Sequence, residues 1–442
     1  MKRYEAYDSF LDIWVNEIPA HWETHKMKYL FHERSEKGYP DEPLLVASQN
    51  MGVVPKKVYG NRTVEAQKDL HLLKLVRVGD FVISLRSFQG GLEYAYYQGI
   101  ISPAYTVLTP HEPITAGYFR YLAKSKLFIG LLTLCVTGIR EGQNIDYEKL
   151  RNHSLPVPPR TEQDQIVRYL DWQVSKINRL IAAKRKEIEL LEATTAHYLE
   201  NTIHKGIRNE QLVETGNPWI NTAPKSWKKV RHKNVLTEKK EVVGENYSQY
   251  TLLSLTTKGV IIRDTSSGKG KYPSDFSTYQ AVNPFDMVFC LFDVDETPRT
   301  VGLSTHTGMI TGAYTVYETH DALPEYLLYY FLSIDNKKGF KPLYSGLRKV
   351  IGKDVFSRQA IYLPSIEEQK EIVDAIQIRQ AKSRNAIDLL EREIESLHDL
   401  RTRLISDVVT GQVDVRGIEV PEFEYVGEAD VAEEQDEESE VG

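Results

Sequence analysis

The chain has 442 residues, of which 41% are apolar and 26% charged, and its formal net charge is −7 at pH 7. This length allows two or three hydrophobic cores, and the composition is ordinary for a soluble globular protein. We found no apolar run near the ~18 residues of a membrane helix and no signal peptide, so we expect a cytoplasmic protein. Only two cysteines occur, Cys135 and Cys290, which excludes a disulfide framework and a zinc cluster.

Residues 1–158 are predicted to form a mixed α/β domain. The apolar run at residues 80–85 predicts a strand, and residues 118–134 predict a short helix. Polar loops lie between the predicted strands. Arg and Lys can read guanine, Gln and Asn can read adenine, and Lys, Ser and Thr can hold phosphates, although any solvated loop contains the same residue types. The DNA-contact candidates in this domain are Gln49, Asn50, Lys56, Lys57, Arg86, Ser87, Gln89, Arg140, Gln143 and Asn144.

A long charged amphipathic helix is predicted over residues 159–206. A Pro-rich segment at residues 155–159 leads into it, followed at once by Glu162 and Gln163. Apolar residues then alternate at spacings of three and four, which is the heptad pattern of a coiled coil. The predicted seam in this helix consists of Ile177, Ile181, Ile188, Leu191 and Tyr198.

The second half of the chain repeats the first. When Pro364 is placed on Pro158, the sequence 368–369 repeats Glu162-Gln163, and the alignment continues along the whole helix without a gap. Upstream, residues 45–54 correspond to residues 252–261, and Trp22 corresponds to Trp227. The repeated unit is therefore a domain followed by a helix, which is far too long for a solenoid repeat.

A second mixed α/β domain is thus predicted over residues 207–363. Residues 286–291 predict a strand, and residues 325–333 predict a helix. The loops of this domain again carry side chains suited to bases and phosphates. The DNA-contact candidates here are Thr256, Thr257, Lys258, Arg263, Lys269, Lys271, Arg299, Arg348 and Lys349.

A second long helix is predicted over residues 364–412 in the same heptad register. Its predicted seam consists of Ile387, Leu390, Ile394, Leu397 and Leu404. Because this helix must return the chain toward the first domain, we expect an antiparallel coiled coil with the first helix. Full overlap would set Lys184 against Arg401, so either the pairing is shifted or the heads of both side chains reach Glu187 or water. The alternative is two unrelated helices, each lying on its own domain.

The C-terminal segment, residues 413–442, is acidic. Its last 26 residues contain 11 acids and no Lys or Arg, so the rest of the chain is mildly basic. We expect this tail to be disordered and solvated. A mildly basic body is compatible with nucleic acid without requiring it, because local patches govern phosphate contacts.

Catalytic motifs are absent from the sequence. The segment 268–271 lacks the Walker spacing, and no histidine pair has metal-ligand spacing. Residues 283–285 partly match the Asn-Pro-Pro-Phe motif of amino-methyltransferases, but the second proline is missing. We therefore expect no catalytic residue, no metal site and no bound cofactor in this chain.

The order of these parts closely resembles the specificity subunit of Type I restriction-modification enzymes, the HsdS family, over about residues 15–416. This resemblance implies an α+β fold with two target-recognition domains separated by an antiparallel coiled coil, in an internal pseudo-twofold repeat. Each domain would read one half of a bipartite asymmetric target in double-stranded DNA. The subunit would be non-catalytic and would join two copies of an adenine methyltransferase (M) subunit, with a restriction/translocase (R) subunit as a further partner.

Cofactors in such a complex are implied only for the partners, with S-adenosylmethionine on the M subunits and ATP with Mg on the R subunits. Two other functions stay open from the sequence. One is a coiled-coil protein-interaction scaffold without sequence-specific DNA binding, whose binding would depend little on salt. The other is an enzyme with its own methyl-transfer activity.

Overall fold

A computed structural model describes residues 2–10, 12–49, 51–59, 69–84, 87–137, 144–217, 219–263, 276–344 and 349–427. The chain divides into two compact units, residues 1–186 with 390–436 and residues 187–389 with 437–442. Both divisions fall inside the long helices, because each part of a helix packs with the domain beside it. The boundaries predicted from the sequence separate helices from domains instead, and they stay a prediction.

The first unit contains many short strands. These are Tyr7–Ser9, Glu17–Pro19, Glu23–Lys26, Phe31–Arg34, Leu45–Ser48, Gly52–Pro55, Lys74–Val76, Phe81–Ile83, Glu93–Tyr94, Gly99–Ile101, Thr106–Pro110, Val136–Thr137, Asn144–Ile145 and Ser154–Val157. Four of them form an antiparallel sheet in the order 31–34, 106–110, 81–83, 93–94. All three residues of Phe81–Ile83 are buried, as expected for an apolar strand inside a sheet.

Short helices surround this sheet. They are Met27–Tyr29 and Leu70–Leu72, which are 3-10 helices, and the α-helices Lys56–Tyr59, Ser87–Gly90, Ala116–Leu122, Lys126–Leu134 and Tyr147–Leu150. The single helix predicted over residues 118–134 is thus two helices. Ser125 starts the second one, because its hydroxyl accepts a hydrogen bond from the Phe128 amide at 3.3 Å.

The second unit repeats this plan. Its strands are Leu212–Glu214, Thr222–Pro224, Lys228–Arg231, Leu236–Lys239, Leu253–Thr256, Gly259–Ile262, Gln280–Val282, Met287–Phe289, Val301–Leu303, Gly308–Ile310, Thr315–Thr319 and Ala360–Leu363. The four-stranded sheet has the order 236–239, 315–319, 287–289, 301–303, which matches the first unit strand for strand. Its short helices are His232–Asn234, Gly244–Gln249 and Lys341–Leu343, which are 3-10 helices, and the α-helices Pro324–Asp335 and Lys353–Arg358.

The two long helices, Arg160–Lys205 and Ile366–Val409, pair antiparallel within each unit. In the first unit, Lys184 forms an ion pair with Glu393, and the Arg401 guanidinium donates to Asn178 Oδ1 at 2.9 Å. Residue numbers along the first helix therefore rise as the numbers of their partners on the second helix fall, which is antiparallel pairing. The fold class predicted from the sequence is confirmed, and the pairing is shifted so that Lys184 meets a carboxylate and lies away from Arg401.

The second unit shows the same direction of pairing. The Arg379 guanidinium carbon lies 5.9 Å from the centre of the Tyr198 ring, and Ile203 shares a buried core with Ile372 and Ile376. A residue near the end of the first helix therefore packs with residues near the start of the second.

Burial along both helices follows one stripe. Ile177, Ile181, Leu390 and Leu404 are buried, and Ile188, Leu191, Ile387, Ile394 and Leu397 are half-buried. Tyr198 is the most exposed of the predicted seam residues at 37%, whereas Leu180, Leu190 and Leu389, which lie off the seam, are each more than half exposed. The stripe is narrow because each helix lies against a single partner helix along much of its length.

The C-terminal segment differs from its prediction. Residues 413–427 are ordered and pack against the first long helix, since Gln165 Nε2 donates to the Val415 and Ile418 carbonyls at 3.0 and 2.7 Å. Hydrogen bonds from a helix face to an extended backbone stabilise a segment whose composition alone predicts disorder. The expectation of disorder is therefore wrong for residues 413–427, and the rest of the tail, residues 428–442, lies outside the described residues.

Cys135 and Cys290 are both buried and free. Across the described parts of the chain, we find no helix that is long and apolar enough to cross a membrane.

Candidate nucleic-acid interface

The first domain is fixed to its long helix by a buried carboxylate. Glu162, in the first turn of that helix, accepts hydrogen bonds from the Trp22 indole at 3.1 Å and from the Tyr4 hydroxyl at 2.5 Å. His21 Nε2 lies 2.7 Å from its second carboxylate oxygen. Burial, together with the bond to Glu162, raises the pKa of the Tyr4 hydroxyl far above its usual range, so this hydroxyl stays a donor.

Gln163, the next residue, completes the attachment. Its carbonyl oxygen accepts from the Thr115 amide at 2.9 Å, and its amide donates to the carbonyls of Pro113 and Pro158, each at 2.9 Å. Thr115 is itself the N-cap of helix Ala116–Leu122. The fully buried side chain of Gln163 therefore joins the start of the long helix to the start of a domain helix, with every polar atom paired. We call Trp22, Glu162 and Gln163 the first latch.

The second half contains the same arrangement, which we call the second latch. Glu368 accepts from the Trp227 indole at 3.3 Å. Gln369 accepts from the amide of Leu323 at 2.8 Å and donates to the Pro364 carbonyl at 3.1 Å. Leu323 is the N-cap of helix Pro324–Asp335, so it takes the place of Thr115. Burial raises the pKa of Glu368.

A glycine closes each latch. Gly206 has a φ of +69°, and a Cβ there would lie 3.0 Å from the Glu368 carboxylate and 3.2 Å from the Trp227 ring. Gly411 has a φ of +75°, and its Cβ would lie 2.3 Å from Pro19. Neither position accepts a larger residue without a shift of the backbone or of its neighbours. The repeated segments of the sequence contain the Glu, Gln and Trp of each latch, but the repeat alone assigned no role to these residues. It also did not predict that Tyr4 and His21 contact Glu162.

Several of the DNA-contact candidates that the structure describes in the first domain lie around a hairpin of strands Leu45–Ser48 and Gly52–Pro55, which we call the first hairpin. Gln49 is exposed at its turn. Lys124 Nζ donates to the carbonyl of Gln49 at 3.1 Å and to that of Gly90 at 2.9 Å. Lys124, which no sequence pattern singled out, therefore holds the hairpin turn against the short helix Ser87–Gly90.

Other candidates lie beside this hairpin. Gln89 is exposed on helix Ser87–Gly90, and Asn144 is exposed on strand Asn144–Ile145, which contacts that helix. Lys57 is exposed and Lys56 half-buried in the helix that comes after the hairpin. Gln49, Gln89 and Asn144, which are far apart in the sequence, are thus brought to neighbouring elements of one domain.

Ser87 is the exception among these candidates. Its side chain is fully buried, and its hydroxyl accepts from the Ser84 amide at 2.8 Å. This bond satisfies a backbone donor in the turn that precedes the short helix. The structure therefore gives Ser87 an internal role, and a DNA contact would require the side chain to become exposed.

In the second domain the corresponding hairpin joins strands Leu253–Thr256 and Gly259–Ile262, and we call it the second hairpin. Thr257 and Lys258 form its exposed tip. The Thr256 hydroxyl accepts from the Lys258 amide at 3.2 Å and donates to the Gly259 carbonyl at 3.1 Å, so it shapes the turn. Arg263 comes directly after the hairpin and is half-buried.

Two predicted cations of the second domain are held by acids. Arg299 donates to Asn336 at 2.8 Å and to the buried carboxylate of Asp335 at 3.4 Å. Lys349 bonds to Glu296 and Asp295, and these hydrogen bonds raise the pKa of its amine. Because carboxylates already compensate these charges, a phosphate would have to compete with them.

The remaining candidates are Asn50, Arg86, Arg140, Gln143, Lys269, Lys271 and Arg348, and all lie outside the described residues. Within the described ranges, no three His, Cys, Asp or Glu side chains are grouped as metal ligands would be.

Comparison with known proteins identifies the class of domain. Residues 309–396 match the family model of the type I restriction modification DNA specificity domain. This stretch includes helix Pro324–Asp335, Glu368 and Gln369 of the second latch, and most of the second long helix. Over these residues the chain is similar to that domain family, and the resemblance predicted from its sequence is confirmed.

One solved structure supports the fold, and a second is similar at a lower score. A chain from a study of complex assembly and conformational transition of the type I R-M system matches with a TM-score of 0.63 and 14% identity, over 90% of this chain and 99% of that one. The HsdS subunit from Thermoanaerobacter tengcongensis matches with a TM-score of 0.47 and 14% identity, over 90% and 98%. No curated protein sequence matches.

Proposed function

We propose that this chain is the DNA-recognition subunit of a type I restriction-modification complex and that it reads a bipartite asymmetric target. One observation supports this most directly. Each half carries the same latch, built from equivalent Trp, Glu and Gln residues, on a domain that also presents a hairpin. A protein that reads two short sequences at a fixed gap needs two similar readers, each held firmly to a spacer.

The reading surfaces in this proposal are the first and second hairpins with their neighbouring elements. The exposed amides of Gln49, Gln89 and Asn144 suit base edges, and the exposed ammonium group of Lys258 suits phosphate or guanine. Because the loops differ between the halves whereas the latches do not, the two half-sites would differ in sequence. The two long helices would set the length of the unread gap.

The duplication also suggests how partners bind. Two equivalent surfaces favour two copies of one partner, which agrees with two adenine methyltransferase subunits. Methylation and its cofactor S-adenosylmethionine would then belong to those subunits, together with the flipping of the target base. ATP and Mg would belong to the restriction/translocase subunits.

A binding-site selection from random duplexes, with the methyltransferase partner present, tests this proposal. We expect a motif of two defined parts separated by a constant number of unread bases. Affinity should fall steeply between 50 and 200 mM salt, because phosphate contacts release counterions. A single contiguous motif, or binding that ignores salt, would instead favour a protein-interaction scaffold.

The proposed division of labour has its own test. The purified chain, incubated with labelled S-adenosylmethionine and DNA, should transfer no methyl group, whereas adding the partner should produce labelled adenine. Transfer by the chain alone would show that it is itself the enzyme.

A further inference from the structure

The ammonium group of Lys124 has three acceptors in the first domain. Besides the carbonyls of Gln49 and Gly90, at 3.1 and 2.9 Å, its Nζ donates to the carboxylate of Glu93 at 2.8 Å. A lysine ammonium has three donors, so each of them has an acceptor here. Glu93 is fully buried and belongs to the four-stranded sheet. One cation therefore joins the sheet to the turn of the first hairpin and to the short helix that ends at Gly90.

Two glycines allow these elements to approach closely. Gly91 has a φ of +85°, and a Cβ there would lie 2.1 Å from the Ala123 carbonyl and 3.2 Å from Cδ of Lys124. A larger residue at Gly91 would therefore separate the short helix from Lys124. A Cβ at Gly90 would lie 2.9 Å from the Gln49 side chain, so this side chain lies against the short helix.

Two predicted base readers belong to the backbone segments that Lys124 binds. Gln49 is exposed at the hairpin turn, and Lys124 binds its carbonyl. Gln89 is exposed on the short helix, and Lys124 binds the carbonyl of the next residue, Gly90. The ammonium therefore sets the distance between the two segments that carry these amides. Because an amide reads adenine through two directional hydrogen bonds, a shift of its backbone changes the base that it accepts.

The base of the first hairpin is held in another way. Leu45 and Val53 are buried in an apolar cluster that also contains Val76 and Val82. Burial of these side chains stabilises the hairpin and the sheet independently of Lys124. Loss of the ammonium should therefore move the turn and leave the domain folded.

The second half has a different contact at the same place. In the equivalent sheet register, Gly302 occupies the position of Glu93. A Cβ at Gly302 would lie 2.6 Å from the Leu255 side chain and 3.0 Å from that of Val260, both in the second hairpin. Apolar side chains of that hairpin therefore pack directly on the strand, where the first half has a carboxylate and its lysine. The ion pair is thus specific to the first half, and the second half provides an internal control.

We propose that Lys124 is a positioning residue for the first half-site, because it sets the spacing of the Gln49 and Gln89 amides and so determines which bases they accept. This inference rests on the proposed function, since it requires that these amides contact DNA. Lys124 acts through the two backbone carbonyls, because its three donors are already bonded. Its removal alters base preference in one half-site and leaves the other half-site and the number of unread bases unchanged.

Five full-length proteins, each assembled with the methyltransferase partner, test the proposal. These are the unaltered chain, Lys124→Met, the double variant Lys124→Met with Glu93→Gln, Lys124→Arg, and the control Lys126→Met. The double variant removes both charges, so no unpaired carboxylate stays buried. Lys126 is exposed at the start of the next helix, so its replacement controls for the loss of one positive charge.

Selection from random duplexes gives the motif of each protein, scored separately for its two halves. The first half-site is the half that changes when residues 1–157 are exchanged. For each half-site, preference is the ratio of the affinities for the selected duplex and for a duplex with that half scrambled. Both measurements are repeated across a series of salt concentrations.

We expect preference at the first half-site to fall about tenfold in Lys124→Met and in the double variant, which corresponds to the loss of about one well-placed base contact. The fall should be smaller in Lys124→Arg, because a guanidinium keeps the charge and several donors. The control should select as the unaltered chain does. Preference at the second half-site should be the same in all five proteins.

Two outcomes of the binding measurements would overturn the proposal. One is an unchanged preference at the first half-site in both Lys124→Met proteins. The other is weaker binding to every sequence with the preference intact and a shallower salt dependence, because that result would show a direct phosphate contact.

Hydrogen exchange separates failure of this inference from failure of the proposed function. The Met51 amide, which donates to the Ser48 hydroxyl at 3.3 Å, should exchange about tenfold faster in both Lys124→Met proteins, while the buried strand Phe81–Ile83 stays slow. Unchanged exchange of Met51, or fast exchange of that strand, would overturn the positioning role even if DNA binds. Faster exchange of Met51 alone, with no DNA binding by the unaltered chain, would refute DNA recognition and this inference with it.

Discussion

At the scale of single residues, the buried polar groups of the latches position the domains. Glu162 receives two donors from neutral side chains and lies within hydrogen-bond distance of His21, whereas Glu368 receives the Trp227 indole. A buried carboxylate without donors would cost several kcal/mol, so these donors are needed wherever the latch is closed. The sequence shows the repeated Glu-Gln. It does not show that indoles and helix-capping amides from distant parts of the chain bind this pair.

Replacing Trp227 with phenylalanine should weaken the second latch. The indole hydrogen bond to Glu368 is lost while the ring remains apolar, so the carboxylate keeps its burial without this donor. We expect a loss of about 1–3 kcal/mol in the free energy of unfolding of the second unit. Thermal unfolding followed by far-ultraviolet circular dichroism measures it, with Trp172→Phe as the control. An unchanged midpoint would show that the indole bond does not hold the domain.

His204 gives the second unit a pH dependence. It lies near the end of the first long helix with Nε2 3.1 Å from the Ser333 hydroxyl, and burial lowers its pKa to about 4. Because the folded pKa lies below the unfolded value of 6.5, the neutral form stabilises the fold fully above pH 6.5, and this contribution is lost as the pH falls toward 4.

We therefore expect acidification from about pH 7 to about pH 5 to cost the second unit on the order of 2 kcal/mol through this group. The variant His204→Gln should lose stability less steeply over this range. Denaturant midpoints measured across the same pH interval provide the comparison, and parallel slopes for both proteins would contradict the assignment.

At the scale of elements, the long helices were the most predictable part of the chain. Their heptad pattern predicted two coiled-coil helices, because the apolar spacing repeats over many turns. The antiparallel direction was predicted because the second helix must return the chain toward the first domain. The register was left open, since both Lys184 and Arg401 occupy seam positions. In the structure Lys184 pairs with Glu393 and Arg401 with Asn178, and these contacts define the register. They depend on where the two helices meet, which the sequence pattern does not give.

Insertions into the first long helix should distinguish a register effect from a length effect. Four extra residues after Glu187 break the heptad register, whereas seven keep it and lengthen the helix. We expect the four-residue variant to lose assembly with its partner or to unfold at a lower temperature. The seven-residue variant should fold and should recognise a target with a longer gap. Selection from random duplexes and thermal unfolding measure both, and identical behaviour of the two variants would contradict the role of the seam.

At the scale of the whole molecule, the internal duplication accounts for two domains of the same plan. Two domains with the same sheet order and the same latch carry different loops, so recognition and attachment are separable. Residues 415–427 break this equivalence, because Ser175 and Asn178 of the first long helix bind them, whereas Ala381 and Arg384 occupy the corresponding positions of the second.

Exchanging residues 1–157 for the corresponding domain of a related protein should change one half of the recognised sequence and leave the other half and the gap intact. The reason is that the proposed function assigns each reading surface to one domain, whereas the helices are retained. Selection from random duplexes before and after the exchange measures it. A change in both halves would show that the domains do not read independently.

The sequence by itself determined the duplication, the two long helices, the class of fold and the repeated Glu-Gln, because these depend on periodicity and on residues that are close in the chain. Only the tertiary structure decided the donors to Glu162, the burial of Ser87, the acids that hold Arg299 and Lys349, and the packing of residues 415–427 on the first long helix. Each of these depends on contacts between distant residues. Acidic composition predicted a disordered tail, but composition does not reveal the two side chains of a distant helix that bind its backbone.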